Sequence, residues 1–517
     1  MKKINLQKTF KIALIIFLII QPIFDLKIFY NSISTLIRVV AIGIIFLYYF
    51  ITSKNNNKYF LLIYPALIGI YFIFHHANAI DFTSLVPGNF NYSMTKEALY
   101  FVKMISPFLL LYSLIKASLK KEEIFLIIKS IVLFMSAIII VSNIFCFSYG
   151  SYSDVPIKAN IFSWFTNNGE YTYQDLASKG LFEYANQIGA ILIMFLPFVI
   201  YLAFKKKTFI NITILFANIL ALLLLCTKVS VFGIAVVMSY TLCVYLFKKI
   251  FIDKQKLKFN FGTNQILAIC MATFYIAIAM FNPTFARMNE AKEVSARVAQ
   301  LQENKVEEVN QQNDIIVEQD THNIKEINQV ENIKDETQEG NKDFKTKFIE
   351  ENYKKNEIHE LFIIERYPYV YDKDFWYEII SSDNPNKMHY RFLEEEIVKR
   401  VVEINDNQHD KWLGITNTRL QNIFNIEKDF VVQYYALGII GALFVFMPYL
   451  IVLVWFAYKT LSGKLKTLSI INMLACVTIF FLFAISYYSG NLLNSLSFTI
   501  YFAQLFLLLT SEKSSHD

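Results

Sequence analysis

Residues 264–293 read NQILAICMATFYIAIAMFNPTFARMNEAKE, and residues 424–450 read FNIEKDFVVQYYALGIIGALFVFMPYL. The first stretch leaves an apolar block for polar sequence near Pro283; the second returns to an apolar block at Phe430. Between them lies a polar island, 283–429, in a chain otherwise made of apolar blocks. Blocks of about 16 to 25 residues match a hydrocarbon core of roughly 30 Å. They cross it as helices, because a helix satisfies its own backbone groups where there is no water. The expected fold is an all-α polytopic membrane protein with a large loop domain before its last three helices.

Composition agrees. Hydrophobic residues make up 55% of the 517 and charged residues 18%, against about a quarter charged in a soluble domain. The sequence pI near 8.7 needs no nucleic acid to explain it, because the basic excess sits in short loops between spans. Cys146, Cys226, Cys243, Cys270 and Cys476 all lie within or at the ends of apolar blocks, so no disulfide framework is expected. Phe10 to Ile20, after Lys2 and Lys3, has the length of a signal peptide. It is followed by Gln21, Pro22 and Asp25 rather than a small-residue cleavage site, and reads as a retained first helix.

By apolar length there are about twelve spans, near 9–25, 33–52, 59–76, 98–117, 122–147, 181–203, 208–226, 229–247, 264–282, 430–458, 467–487 and 490–511. Lysine clusters at 2–8, 54–58, 120–121, 205–207, 248–258, 459–466 and 513 fall on alternate connections. Basic loops stay cytoplasmic, which puts both termini inside and turns 77–97, 148–180 and 283–429 outward. The chain then divides into an N-terminal bundle of about nine helices (1–282), the extracytoplasmic loop (283–429) and a C-terminal part with about three helices (430–517). Residues 288–350, rich in Glu, Gln, Asn and Lys, are expected to be mobile because they bury too little apolar surface. Aromatics return from 357 to 429, which is expected to fold against the bundle.

Four places carry chemistry. Lys228 stands at the junction of two apolar blocks, where a cation needs water or an anion; snorkelling to the interface would satisfy it equally. Glu183 and Asn186 open a span and either line a site or cap the helix. Arg391 precedes Glu394, Glu395 and Glu396 and either pairs with them on a helix surface or meets an anion. Glu427 and Asp429 stand directly before the block at Phe430, as helix-end carboxylates stabilised by the dipole or as proton acceptors. Arg38, inside the second block, reaches the outer surface or pairs within the bundle. His75 and His76 have no further ligand at metal spacing, so no metal site is expected. No P-loop, dinucleotide glycine pattern or Gly-x-Ser-x-Gly is present.

These places follow the order of motifs in a known family. Lys179-Gly180-Leu181-Phe182-Glu183-Tyr184-Ala185-Asn186-Gln187-Ile188-Gly189 is similar to its Gly-x-Phe…Asn-x-x-Gly helix entry. Thr227-Lys228-Val229-Ser230-Val231-Phe232-Gly233 is similar to its Ser/Thr-Arg-x-x-x-x-Gly segment, with Lys228 in place of arginine. Trp412-Leu413-Gly414-Ile415 is similar to Leu-x-Gly-x-Gly without the second glycine. Glu427-Lys428-Asp429-Phe430 through Gly441 is similar to His-Asn-x-Tyr…Gly-Leu-x-Gly, with Glu427 in place of histidine. Over about 180–445 the chain resembles the O-antigen ligase and polymerase-like membrane proteins.

The resemblance implies a GT-C-like fold. It implies transfer of a glycan from a polyprenyl-diphosphate lipid to a glycan, lipid or cell-wall hydroxyl at the outer face, without cofactor or metal. Arg391 and Lys228 would offset charge on the leaving diphosphate, and Glu427 or Asp429 would take the acceptor proton. Asn186, Glu183, Arg38 and Trp412 would bind substrate. A polysaccharide or lipid flippase, or a non-catalytic scaffold for envelope assembly, is the alternative class; flippases usually have short loops.

Overall fold

The computed structural model describes residues 6–29, 31–54, 59, 61–88, 90–167, 169–254, 262–290, 293, 336–382, 384–388, 390–423, 426, 428–462, 468–488 and 490–510. Among them the fold is helical, and only isolated bridges such as Leu26 with Phe182 pair extended segments. Among the described residues nine helices are long and apolar enough to cross a membrane: Leu6–Asp25, Ser32–Thr52, Ile63–Ile80, Met94–Ala117, Lys121–Ile144, Ala185–Lys205, Lys228–Ile252, Asp429–Ser462 and Ile470–Tyr488. A tenth span results if Thr263–Ala279 and Pro283–Glu290, bent by 48° at their break, act together. Pro283 lacks the amide that would continue the helix.

Two further apolar helices, Phe209–Leu224 and Leu496–Leu509, are shorter. At ~1.5 Å per residue they reach only about 24 and 21 Å. The expected twelve spans therefore all find a helix, but these two are too short for a full crossing on their own. Neither stands alone in lipid: Leu215, Leu222, Phe498 and Leu505 are fully buried.

The lysine clusters of the short loops gather at one end of the bundle. Lys11 pairs with Glu123 at 2.7 Å, Lys205 ends Ala185–Lys205, and Lys248 follows Lys228–Phe247. The opposite end carries the starts of those helices, the 148–180 segment and the polar loop domain. Two cores result. One fills the bundle. The other joins the loop side chains Phe362, Trp376, Ile397 and Leu420 to Tyr71, Phe101 and Leu437 of the helices beneath.

The helix Glu336–Asn352 occupies part of the stretch expected to be mobile. Its C-terminal half packs on the loop domain. Phe348 packs on Tyr377 with ring centroids 5.0 Å apart, Ile349 is buried, and Lys345 reaches Asp374 at 2.5 Å.

The loop domain is latched to the bundle at a break in Asp429–Ser462. Gly438 there has φ 61° and ψ −174°, a conformation that an L side chain rarely adopts. The break frees the Tyr435 and Ala436 carbonyls, which accept the Ile415 and Thr416 amides at 2.8 and 3.0 Å. Gly414 (φ +77°) crosses Gly438 so closely that a Cβ on either would meet backbone at 2.3 Å. Below, His75 bridges the Leu413 carbonyl (2.6 Å) and the Glu97 carboxylate (3.2 Å). Glu97 in turn accepts the Asn417 and Thr418 amides, each at 3.0 Å, at the start of the helix Asn417–Ile423. A carboxylate at a helix N-terminus satisfies donors that have no intrahelical partner. Arg419 completes the latch, donating to the Ala79 (2.6 Å) and Phe90 (3.1 Å) carbonyls and stacking over Phe82 at 4.0 Å. Burial lowers its guanidinium to about 10.

Candidate active site

At the end of the bundle away from the lysines, the helix starts enclose a polar cavity of about 730 Å³. Several stretches of chain wall it, Val432 of Asp429–Ser462 among them. Asp25 and Arg38 come from the first two helices, and Tyr100 and Lys103 from Met94–Ala117. Ser151 to Asp154, Lys179 and Glu183 to Ile188 form a second side. Asn417, Leu420, Gln421 and Ile426 come from the latched loop, and Gly490 to Ser497 from the turn before Leu496–Thr510.

Each charge has an environment that sets its use. Arg38 is buried and engaged: Nη2 donates to Asp25 Oδ1 and Nε to Gln21 Oε1, both at 2.8 Å, and Nη2 also meets the Gln21 carbonyl at 3.1 Å. Ser497 donates to the other Asp25 oxygen at 2.5 Å. That buried pair holds the first two helices to the last one and is neutral as a unit. Lys179, also buried, sits 3.4 Å from Asp154, which receives Lys27 at 2.9 Å. The Lys27 ammonium holds the Asp154 carboxyl below the usual carboxylate range. Glu183 is half-buried on the wall, and Asn186 accepts the Tyr152 hydroxyl at 3.2 Å. Asn494 accepts Gln433 at 2.7 Å and Tyr100 at 3.1 Å, which fixes its carbonyl.

Of the residues singled out in the sequence, Arg38, Glu183 and Asn186 share this wall. Arg38 pairs within the bundle and lines the cavity at once. Asp429 lies behind the wall, with Oδ2 accepting the Leu492 (2.9 Å) and Leu493 (3.1 Å) amides, and so shapes the 490–497 turn. Arg391 donates to the Tyr488 carbonyl at 3.1 Å, two residues before that turn. Lys228 is exposed at the start of its helix, and Trp412 is half-exposed on the latch; neither lines the cavity. Glu427 lies outside the described residues.

Sequence reasoning missed Lys103, Asn417 and Asn494. Lys103 had a signal: a lysine well inside an apolar span is itself a pointer to a site. It also missed Arg287, which stacks over Tyr152 (4.4 Å) and Tyr173 (4.7 Å) beside the cavity. Asn282 and Thr284 hold that segment in place by donating to the Leu223 and Cys226 carbonyls. Among the described residues no three His, Cys, Asp or Glu side chains come together to hold a metal.

The arrangement suits an anionic, hydroxyl-rich ligand. Cations and amides line one space, carboxylates stand nearby, and Tyr152 and Tyr184 offer ring faces. Compared with known families, the chain matches the one described as O-antigen ligase like membrane protein over residues 7–512. No curated protein and no solved structure matches it. With nearly its whole length covered, the chain belongs to the O-antigen ligase like membrane protein family, and glycan transfer at a membrane is the activity that family supports.

Proposed function

We propose that the cavity is the transfer site of a membrane glycosyltransferase of GT-C type, which moves or polymerises a glycan from a polyprenyl-diphosphate donor onto a hydroxyl acceptor at the extracytoplasmic face. The observation that carries this reading is the cavity itself. It is polar, cationic in part, and placed at the end of the bundle opposite the lysine-rich loops, which the charge rule assigns to the cytoplasm. Its 730 Å³ falls within the roughly 300–1,000 Å³ of small-ligand sites. It holds the reacting sugars and leaves the rest of the glycan outside.

In the reaction the anomeric C–O bond to the diphosphate breaks and its electron pair leaves with the diphosphate. The acceptor oxygen forms the new bond and gives its proton to a carboxylate. Cations fixed beforehand stabilise the leaving charge without reorganisation. Arg391 and Lys228, which do not line the cavity, are further cations for the leaving diphosphate in this reading. Glu427, which follows the cavity residue Ile426 in the chain, is the base, with Asp429 supporting the turn opposite. Asn186, Glu183 and Arg38 contact substrate on the wall, and Trp412 offers a ring at the loop surface.

The test is transfer by single variants at matched membrane expression. Asn186→Ala and Glu183→Gln on the wall, and Glu427→Gln, should each cut transfer by roughly tenfold or more. Full transfer by all of them would reject the cavity as the site.

A further inference from the structure

Lys103 stands about 13 Å along Met94–Ala117 at ~1.5 Å per residue, too deep for its four-carbon stem to reach bulk water without crossing the cavity. Among the described residues nothing hydrogen-bonds or ion-pairs with its ammonium. Asp429 acts on it as a nearby negative charge: its Oδ2 accepts the Leu492 and Leu493 amides, and its buried Oδ1, which accepts no hydrogen bond among the described residues, faces no closer cation than that of Lys103. The other two cations of the wall are engaged, Arg38 by Asp25 and Lys179 by Asp154. A lone cation in a membrane helix is retained where it meets an anion or a water-filled path.

Lys103 also lines a second, small crevice, with Pro107, Phe108, Val445 and Tyr449. That crevice is mostly apolar and lies between Met94–Ala117 and Asp429–Ser462, closed on its third side by Leu493 and Thr499. At Lys103 the lining of the protein therefore changes from polar to apolar. A prenyl diphosphate changes character in the same way at its phosphate–carbon bond. Pro107 removes a backbone amide from the first of these helices, and Gly438 breaks the second.

We propose that Lys103 holds the diphosphate of the donor, with the prenyl chain leaving the cavity through the seam between Met94–Ala117 and Asp429–Ser462; this rests on the glycosyl-transfer reading above. The ammonium then touches the leaving group and offsets the charge that it gains as the anomeric bond breaks. Lysine serves here as a compact point charge.

The test uses the full chain purified in detergent, with farnesyl diphosphate as probe and farnesol as the tail-only control. Wild type should bind farnesyl diphosphate, Lys103→Arg should retain binding, and Lys103→Gln and Lys103→Met should weaken it about tenfold or more, with farnesol unaffected. Transfer assays on the same variants should show kcat falling for both neutral substitutions. A farnesyl diphosphate carrying a photoreactive group on its chain should label 104–108 or 445–449. If wild type transfers glycan and Lys103→Gln and Lys103→Met bind and transfer as well as it does, the assignment of Lys103 is wrong while the glycosyl-transfer reading stands. Labelling only elsewhere overturns the seam. If wild type neither binds the probe nor transfers, the reading beneath the proposal falls, and the proposal with it.

Discussion

Replacing Gly438 by alanine attacks the latch at its tightest point. The new Cβ would lie 2.3 Å from the Trp412 carbonyl carbon and 2.5 Å from the Leu413 amide nitrogen, both backbone atoms that cannot rotate away. The φ of +61° adds strain of its own, on the order of 1–3 kcal/mol for a side chain held there. Overpacking against backbone adds roughly 1–3 kcal/mol more, so the docked state should lose about 2 to 6 kcal/mol. Relief comes by moving the 412–416 strand of chain outward. That breaks the Ile415 and Thr416 bonds to the freed carbonyls and withdraws Asn417, Leu420 and Gln421 from the cavity wall. Purified Gly438→Ala should melt several degrees lower, become cleavable by protease within 409–423, and lose most transfer. Gly43→Ala and Gly69→Ala, where an added Cβ meets nothing within 4 Å, are the controls and should be silent. A Gly438→Ala protein with wild-type melting, protease resistance and transfer would refute the close-crossing argument.

In a cysteine-free background, Asn310→Cys and Lys411→Cys should react with a membrane-impermeant thiol reagent in intact cells; labelling only after lysis would invert the topology. Deleting 300–335 should leave expression and transfer near normal, because its Glu-, Gln- and Asn-rich composition buries little apolar surface, and loss of transfer by a stably expressed deletion would place that stretch in the site. Asp175 is held at about 2, first by its bond from Lys158. Its folded value is depressed, so its stabilisation is present above the usual carboxylate value near 3.8 and disappears as pH falls toward 2. Asp175→Asn should therefore lower the melting temperature at pH 7 and converge with wild type in acid; a gap that does not narrow would mean the bond carries no such contribution.

Much of the bundle was legible because hydrophobic length is a direct measure of bilayer thickness, and lysine placement separates the two ends. The two short helices were not, because apolar runs at 208–226 and 490–511 include flanking loop residues that hydropathy cannot tell from helix. Asn491, at φ +63°, belongs to the cavity turn rather than to a span. The motif glycines at 414 and 438 were visible as letters, but their role is a crossing of two segments that no spacing predicts. The site was legible only where a polar residue opened a span, as at Glu183 and Asn186. Lys103 disappeared in a window average that its apolar neighbours dominate. Arg38 was visible, but not its pairing with Asp25 through the turn at Gln21–Asp25. The loop arginine that reaches into the fold is Arg419, buried by carbonyl groups from 79 and 90 whose approach depends on the whole latch.

The most direct measurement is turnover by the purified wild-type chain given a polyprenyl-diphosphate-linked oligosaccharide and a hydroxyl acceptor in excess EDTA. The account predicts release of polyprenyl diphosphate in step with glycan joined to the acceptor, and loss of both in Lys103→Gln while the protein remains folded. Movement of the intact lipid-linked glycan across a membrane without bond cleavage would contradict it, as would cleavage that stops in EDTA and returns with magnesium.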